Sequence, residues 1–210
     1  MSVLIYIGTN EGDGLEEYIN LYDEVYAFEP DPEIFEKLTQ RFSSNQNATF
    51  VNAACCEEDG VKTLYVTENR HSSSLSELSE YSLTYGFSGG KSSFKTFEVK
   101  TINLLNYLQQ NNINYIDTLI TDCQGSDLSI LKTIKSYIDD KKIGELFCET
   151  HGNSVELYAG LNNQFDEFKK ILSENYSVKD FYLDGKLMSM ESEPFVEWDT
   201  HWMLKDDIIQ

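Results

Sequence analysis

Lysine and arginine are scarce in this 210-residue chain: 16 of them stand against 36 aspartates and glutamates, a formal net charge of −20 at pH 7. Nucleic acid and anionic membrane surfaces are bound through basic side chains that neutralise phosphates, so neither is expected as a partner. The charge itself serves solubility. Proline is nearly absent, at 3 residues, and cysteine is limited to Cys55, Cys56, Cys123 and Cys148. These have neither metal-ligand spacing nor the pattern of a disulfide framework, and adjacent Cys55 and Cys56 cannot easily bridge each other without strain. No metal and a reducing, cytoplasmic setting are therefore expected. No run approaches ~18 consecutive apolar residues, so no membrane-spanning helix is expected. Met1-Ser2-Val3 passes directly into a strand-like run, without the charged-then-apolar character of a signal peptide. Internal repeats, linkers and low-complexity tracts are missing too. What remains is 40% hydrophobic and 13% aromatic, enough for one domain over residues 1–210 with an ample core.

The most informative stretch is Leu4 to Gly14. The apolar run Val3 to Ile7 has the length and β-branched content of a parallel strand covered on both faces. Gly8-Thr9-Asn10-Glu11-Gly12-Asp13-Gly14 follows as a turn whose glycines let the backbone approach a ligand closely. About twenty residues after the first run, Val25-Tyr26-Ala27-Phe28 reads as a second strand and ends in Glu29. A glycine turn after one strand and an acid closing the next is how open α/β sheets hold an adenosine, the acid accepting hydrogen bonds from the ribose. The turn is not G-x-G-x-x-G. It carries Glu11 and Asp13, and the first basic residue of the chain is Lys37. A pyrophosphate there meets like charge, whereas a ligand with a sulfonium and an ammonium group does not. S-adenosylmethionine is thus favoured over NAD or FAD as the cofactor. The plainer alternative is that Glu11 and Asp13 are solvated first-turn acids suiting a helix dipole.

The chain then continues in alternation. Asp31 is an N-cap candidate with Pro32 at N1, opening a helix whose Ile34, Leu38 and Phe42 form an apolar stripe. Thr49 to Ala54 reads as a third strand, with Asn52 and Ala53 at its ligand-facing end. An amide and a small residue there either flank an adenine or simply end the strand. Val61 to Thr67 alternates weakly and reads as a short antiparallel strand. Residues 69–94 are rich in Ser, Gly and Tyr, lack a clear period, and read as a surface loop or lid. Phe94 to Thr101 alternates as a strand and Ile102 to Gln110 has helical spacing. Tyr115 to Asp122 is a strand ending in an acid, followed by a turn and a helix carrying Leu128 and Leu131. Gly144 to Gly152 is a strand ending in Glu149 and His151, and a helix from about Phe165 to Glu174 follows it. Tyr176 to Leu183, Lys186 to Met190 and Trp198 to Lys205 read as antiparallel strands.

In this order the motifs resemble the FkbM-type S-adenosylmethionine-dependent methyltransferases. The residues that carry the resemblance are Leu4 to Gly12, Val25 to Pro30, Asn52-Ala53, Ser73-Ser74-Leu75, and Ile120 to Asp127 with Leu131-Lys132; it runs from about Val3 to Gly152. It implies a Rossmann-like class I methyltransferase sheet of seven strands, mostly parallel with an antiparallel strand near the C-terminus. It also implies methyl transfer to an oxygen of a sugar or other small molecule. The cofactor residues implied are Gly8, Thr9, Asn10, Gly12, Glu29, Pro30, Asn52, Ala53 and Asp122. Three positions depart from the family pattern: Tyr6 and Gln124 stand where the family has acids, and Thr121 where it commonly has Lys. Transfer of a methyl group from a sulfonium needs alignment of donor and acceptor and a base for the hydroxyl proton. The candidates at strand ends are Asp122, Glu149 and His151, with Asp127 close by. Two rival readings are a degenerate methyltransferase fold that only binds, and an NAD-dependent oxidoreductase.

Overall fold

The apolar run that opens the chain is strand β1 (Val3–Ile7), with Leu4 and Ile5 fully buried. The computed structural model describes residues 1–68, 70–85, 95–183, 185–188 and 196–205. In it β1 pairs in parallel with β2 (Glu24–Phe28) and β7 (Ile116–Thr121). The parallel set continues to β3 (Ala48–Val51) on one side and β8 (Ile143–His151) on the other. Beyond β8, strand β11 (Glu197–Leu204) runs antiparallel between β8 and β9 (Tyr176–Leu183), and β10 (Lys186–Met188) pairs antiparallel with β9. The order is β10-β9-β11-β8-β7-β1-β2-β3. The sheet is mostly parallel with antiparallel C-terminal strands, as expected, but β10 makes it eight-stranded rather than seven-stranded.

Alternate residues of each strand face opposite sides. On one side α1 (Asp13–Tyr18) and α2 (Pro32–Arg41) pack Leu15, Ile19, Leu38 and Phe42 against Leu4, Val25 and Ala27. On the other, Ile5, Ile7, Leu119 and Leu146 share a core with α4 (Leu104–Gln110), α5 (Asp127–Thr133), α6 (Lys135–Asp139) and α7 (Phe165–Leu172). Full burial of side chains such as Leu131 and Phe168 stabilises the fold by roughly 1.5–3 kcal/mol each. Among the described residues no helix is long and apolar enough to cross a membrane.

Two expected elements divide differently. The strand expected over Thr49 to Ala54 breaks at Asn52. There the side-chain amide donates to the carbonyls of Glu29 and Pro30 at 2.8 and 3.1 Å, and β4 (Ala54–Cys56) leaves the main sheet. It joins β6 (Lys95–Asn103) and β5 (Gly60–Val66) in a three-stranded sheet, around Ala54, Leu64, Val66 and Val99. The helix expected from Ile102 begins at Leu104, because β6 runs on and Asn103 caps the helix through the Asn106 N–H. Of the loop expected over 69–94, residues 70–85 are described and include α3 (Glu80–Tyr85). Residues 69 and 86–94 lie outside the described set, as do Asp184 and the last two positions of the strand expected over Lys186 to Met190.

The backbone is tightest where β1 ends. Gly8 has φ +85, and a Cβ there would stand 1.9 Å from the Asp122 carbonyl oxygen. Gly160 has φ +74, and a Cβ there would meet nothing within 4 Å. Gly160→Ala should therefore cost about 1 kcal/mol, from backbone strain alone. Gly8→Ala should cost at least about 3 kcal/mol, since the clash adds to the strain. Urea unfolding of the two variants checks this, and equal losses would refute the close approach of β1 to β7.

Candidate active site

The N–H groups of Gly8 to Gly12, in the turn after β1, are used inside the protein. Gly8 and Thr9 donate to the Phe28 carbonyl at 3.0 and 3.1 Å, and Gly12 donates to Thr9 at 2.9 Å. The Glu11 N–H goes to the Asn10 side chain at 2.7 Å. The Asn10 N–H goes to Oε2 of Glu29 at 2.9 Å, with Asn10 itself at φ 49. Glu29, at the end of β2, also accepts the Asp31 N–H on Oε1 at 2.7 Å. The carboxylate is only 6% exposed. Burial raises it to about 7, against the downward pull of these two N–H groups. Asp31 in turn caps α2 by accepting from the Glu33 and Ile34 N–H groups. One carboxylate thus ties the turn to the start of α2.

The acids of the turn lie elsewhere. Glu11 pairs with Lys37, and Asp13 and Glu16 pair with Arg41, on the exposed side of α1 and α2. Their expected role in repelling a pyrophosphate from the ligand is not what the geometry gives; they are solvated first-turn acids with α2 partners. The N–H groups of Gly8 to Gly12 are bonded to protein acceptors, so that part of the turn offers a pyrophosphate no donors.

Across Gly8, the segment after β7 builds a second polar centre. Gln124 (φ 51) and Gly125 (φ +95) turn the chain sharply. The Gln124 Nε2 donates to Asp122 at 2.6 Å and to Glu149 at 2.8 Å, while the Tyr158 hydroxyl donates to its Oε1. Its carbonyl accepts from the Ser74 hydroxyl at 2.7 Å. A neutral amide therefore bridges two carboxylates where the family pattern has a third acid. Burial, followed by the proximity of Glu197, pushes the Glu149 carboxyl well above the ordinary range. Asp122 reaches solvent, yet dense packing about its carboxyl, then Asp199 and Asp127, also raise it well above that range. Asp127 is fully buried and accepts the Cys123 N–H at 3.1 Å and the Asn163 amide at 3.0 Å. Burial raises it to about 6. It orders the loop.

Between these centres lies a cavity of about 270 Å³ at the C-terminal ends of β1, β2 and β7. It brings together Gly8, Asn10, Glu29, Pro30, Ala53 and Asp122. The other candidates sit behind this wall. Thr9 is buried with its hydroxyl on the Phe28 carbonyl, and Gly12 lies against Phe42 and Leu38. The Asn52 amide holds the Glu29–Pro30 backbone. Glu149 stands behind Gln124. His151 is 1% exposed, neither ring nitrogen has a partner among the described residues, and burial lowers it to about 4. At pH 7 it is neutral.

The sequence reading missed Arg70. Its guanidinium donates to Asp31 at 3.1 Å and to Glu33, and its carbonyl accepts from the Asn10 amide at 3.4 Å. This draws the segment Arg70 to Leu75 over the cavity, where Ser74 bridges to Tyr65. Arg70 is the one Lys or Arg between Lys62 and Lys91 in the sequence, and the helix start it reaches is rich in acids. That was the available signal.

Tyr6 also falls in an unexpected place. The alternation of side chains along β1 turns it away from the first cavity and toward α1. There it borders a second cavity of about 440 Å³ with Tyr18, Phe147, Tyr182 and Asp199. Asp122 borders both cavities.

The sequence profile of the methyltransferase FkbM domain matches residues 7–178. A methyltransferase FkbM from Methylobacillus flagellatus shares the fold at a TM-score of 0.55 and 11% identity. That match covers 96% of this chain and 43% of the other, so this chain spans less than half of that protein. The Streptococcus mutans protein SMU.1697c, solved in complex with SAH, shares it at a TM-score of 0.51 and 10% identity, over 97% of this chain and 89% of the other. No curated protein sequence matches.

The electrostatics of the Gln124 bridge make a prediction. Gln124→Glu places a third carboxyl between Asp122 and Glu149, with a folded pKa raised above its unfolded value of about 4.3. Such a group is tolerated while protonated, and its cost appears as pH rises through the raised value. The variant should be about 3 kcal/mol less stable than the parent at pH 8, with the gap closing toward pH 5. Thermal melts across that range check it; a gap independent of pH would show that position 124 does not sit among acids that oppose a further charge.

Proposed function

The chain belongs to the FkbM methyltransferase family, and from that premise we propose that it is an S-adenosylmethionine-dependent methyltransferase acting on an oxygen of a sugar or other small molecule. The observation that carries this is the buried Glu29 carboxylate facing a cavity beside a turn in which the N–H groups of Gly8 to Gly12 are bonded within the protein. Each Glu29 oxygen accepts one backbone N–H and keeps a second lone pair for a ribose hydroxyl. Ala53 and Cys55 offer the small, apolar wall that suits an adenine. Around them Glu29, Asp31, Asp122 and Glu197 outnumber the single guanidinium of Arg70, which is itself paired with Asp31 and Glu33. That charge balance suits a ligand bearing a sulfonium and an ammonium group and opposes a dinucleotide. The SAH found with the S. mutans protein of similar fold is in keeping with this choice.

When bound, such a cofactor supplies an electrophilic methyl carbon on positively charged sulfur. The protein's part is to hold the acceptor in line and to receive its hydroxyl proton as the new carbon–oxygen bond forms. We assign that position to Asp122, which borders both cavities. Once ionised, a carboxylate whose proton affinity is raised takes a hydroxyl proton more readily than an ordinary one. Gln124 aims it, and through the same amide Glu149 buttresses it from behind. His151 borders neither cavity among the described lining residues and remains the more remote base.

Isothermal titration with S-adenosylmethionine tests the assignment of Glu29. Only the ionised carboxylate accepts from both backbone N–H groups and from a ribose hydroxyl at once. Affinity should therefore rise between pH 6 and pH 8 as Glu29, raised to about 7, loses its proton. Glu29→Gln should bind at least about tenfold more weakly at pH 8, a difference of about 1.4 kcal/mol, and with a flat pH profile. Binding by that variant equal to the parent's would remove the ribose assignment. Tight binding by the parent with no transfer to any hydroxyl acceptor would favour the non-catalytic module.

A further inference from the structure

Resting on the methyl-transfer reading of the first cavity, we propose that the second cavity is the acceptor site and that it takes a small organic cation, an ammonium group on a body that also carries the hydroxyl to be methylated. Donor and acceptor atoms must come within about 3–3.5 Å to react. An acceptor must therefore reach Asp122 from a side the cofactor does not fill. The second cavity meets that condition: Asp122 is a wall of both, and Thr121, next to it in sequence, and Tyr6, paired with Ile120 across the β1–β7 ladder, carry the second cavity onward toward α1.

The walls choose the charge. Glu17, Asp122 and Asp199 are acidic, and no Lys, Arg or His is among the described lining residues. A phosphate or carboxylate on the acceptor would meet only like charge there. The remaining surface is aromatic, from Tyr6, Tyr18, Phe147 and Tyr182. Aromatic rings beside carboxylates hold ammonium groups by cation–π attraction and ion pairing together. The acidic field continues past the cavity along the same strands. Glu149 pairs in register with Asp199, and Glu197 precedes Asp199 on β11. Tyr6 gains a role from this. It stands where the family pattern has an acid, but it faces the acceptor side, so its ring shapes what is methylated rather than how the cofactor is held.

A matched series with one apolar body separates charge from shape: phenethylamine, 2-phenylethanol and phenylacetate, titrated into protein saturated with SAH. Phenethylamine should bind at least tenfold more tightly than the alcohol, with affinity falling as salt rises, and phenylacetate should not bind. Tyr6→Leu and Asp199→Asn should each weaken the amine at least fivefold while SAH affinity stays within twofold, which also reports that the variants are folded. Equal binding of amine and alcohol, or full retention of amine binding in both variants, overturns the proposal. Failure of SAH itself to bind would instead remove the methyl-transfer reading, so the two failures are told apart.

Discussion

The close approach of Gly8 to the Asp122 carbonyl governs the rest of the site. It brings the ends of two neighbouring parallel strands so near that no side chain fits between them. The turn after β1 must then leave with left-handed residues at Gly8, Asn10 and Gly12. That path delivers the Asn10 N–H to Glu29, and Glu29 fixes the start of α2 through Asp31. The same approach places Asp122 at the boundary of two cavities. Neither cavity would have its present walls if β1 and β7 stood a side chain further apart.

Much of this was legible in the sequence because it follows from short-range rules. The apolar run before Gly8, the acid after the second strand and the Asp31-Pro32 cap each act within a few residues, and each folds where expected. What was not legible depends on contacts between distant segments. Asn52 looked like a strand end with a free amide, but its amide is taken by the Glu29 and Pro30 carbonyls, 23 and 22 positions earlier. Glu11 and Asp13 looked like ligand-facing acids, yet Lys37 and Arg41, one helix later, reach back to claim them. The direction of Tyr6 was fixed by strand alternation, but its meaning needed the placement of α1 and β9 as well.

The large negative charge acquires a local meaning in the Gln124 centre. Asp122, Asp127, Glu149, Glu197 and Asp199 gather at the ends of β7, β8 and β11, with no basic side chain among those raising or lowering them. Such a gathering persists by protonation and by neutral donors rather than by salt bridges. Gln124 and Asn163 are those donors, and the Tyr158 hydroxyl holds Gln124 in place. An amide in place of an acid at position 124 is thus consistent with a site that has reached its limit of buried charge.

Arg70 has an electrostatic corollary. The segment it anchors lies across the first cavity, and its two ion pairs go to the cap and first turn of the helix that Glu29 also fixes. The Glu33 carboxylate of the clasp is exposed and the Asp31 carboxylate is buried. Salt therefore screens the outer pair well before the inner one, so the segment over the cavity is held by one contact that ionic strength loosens and one that it barely touches.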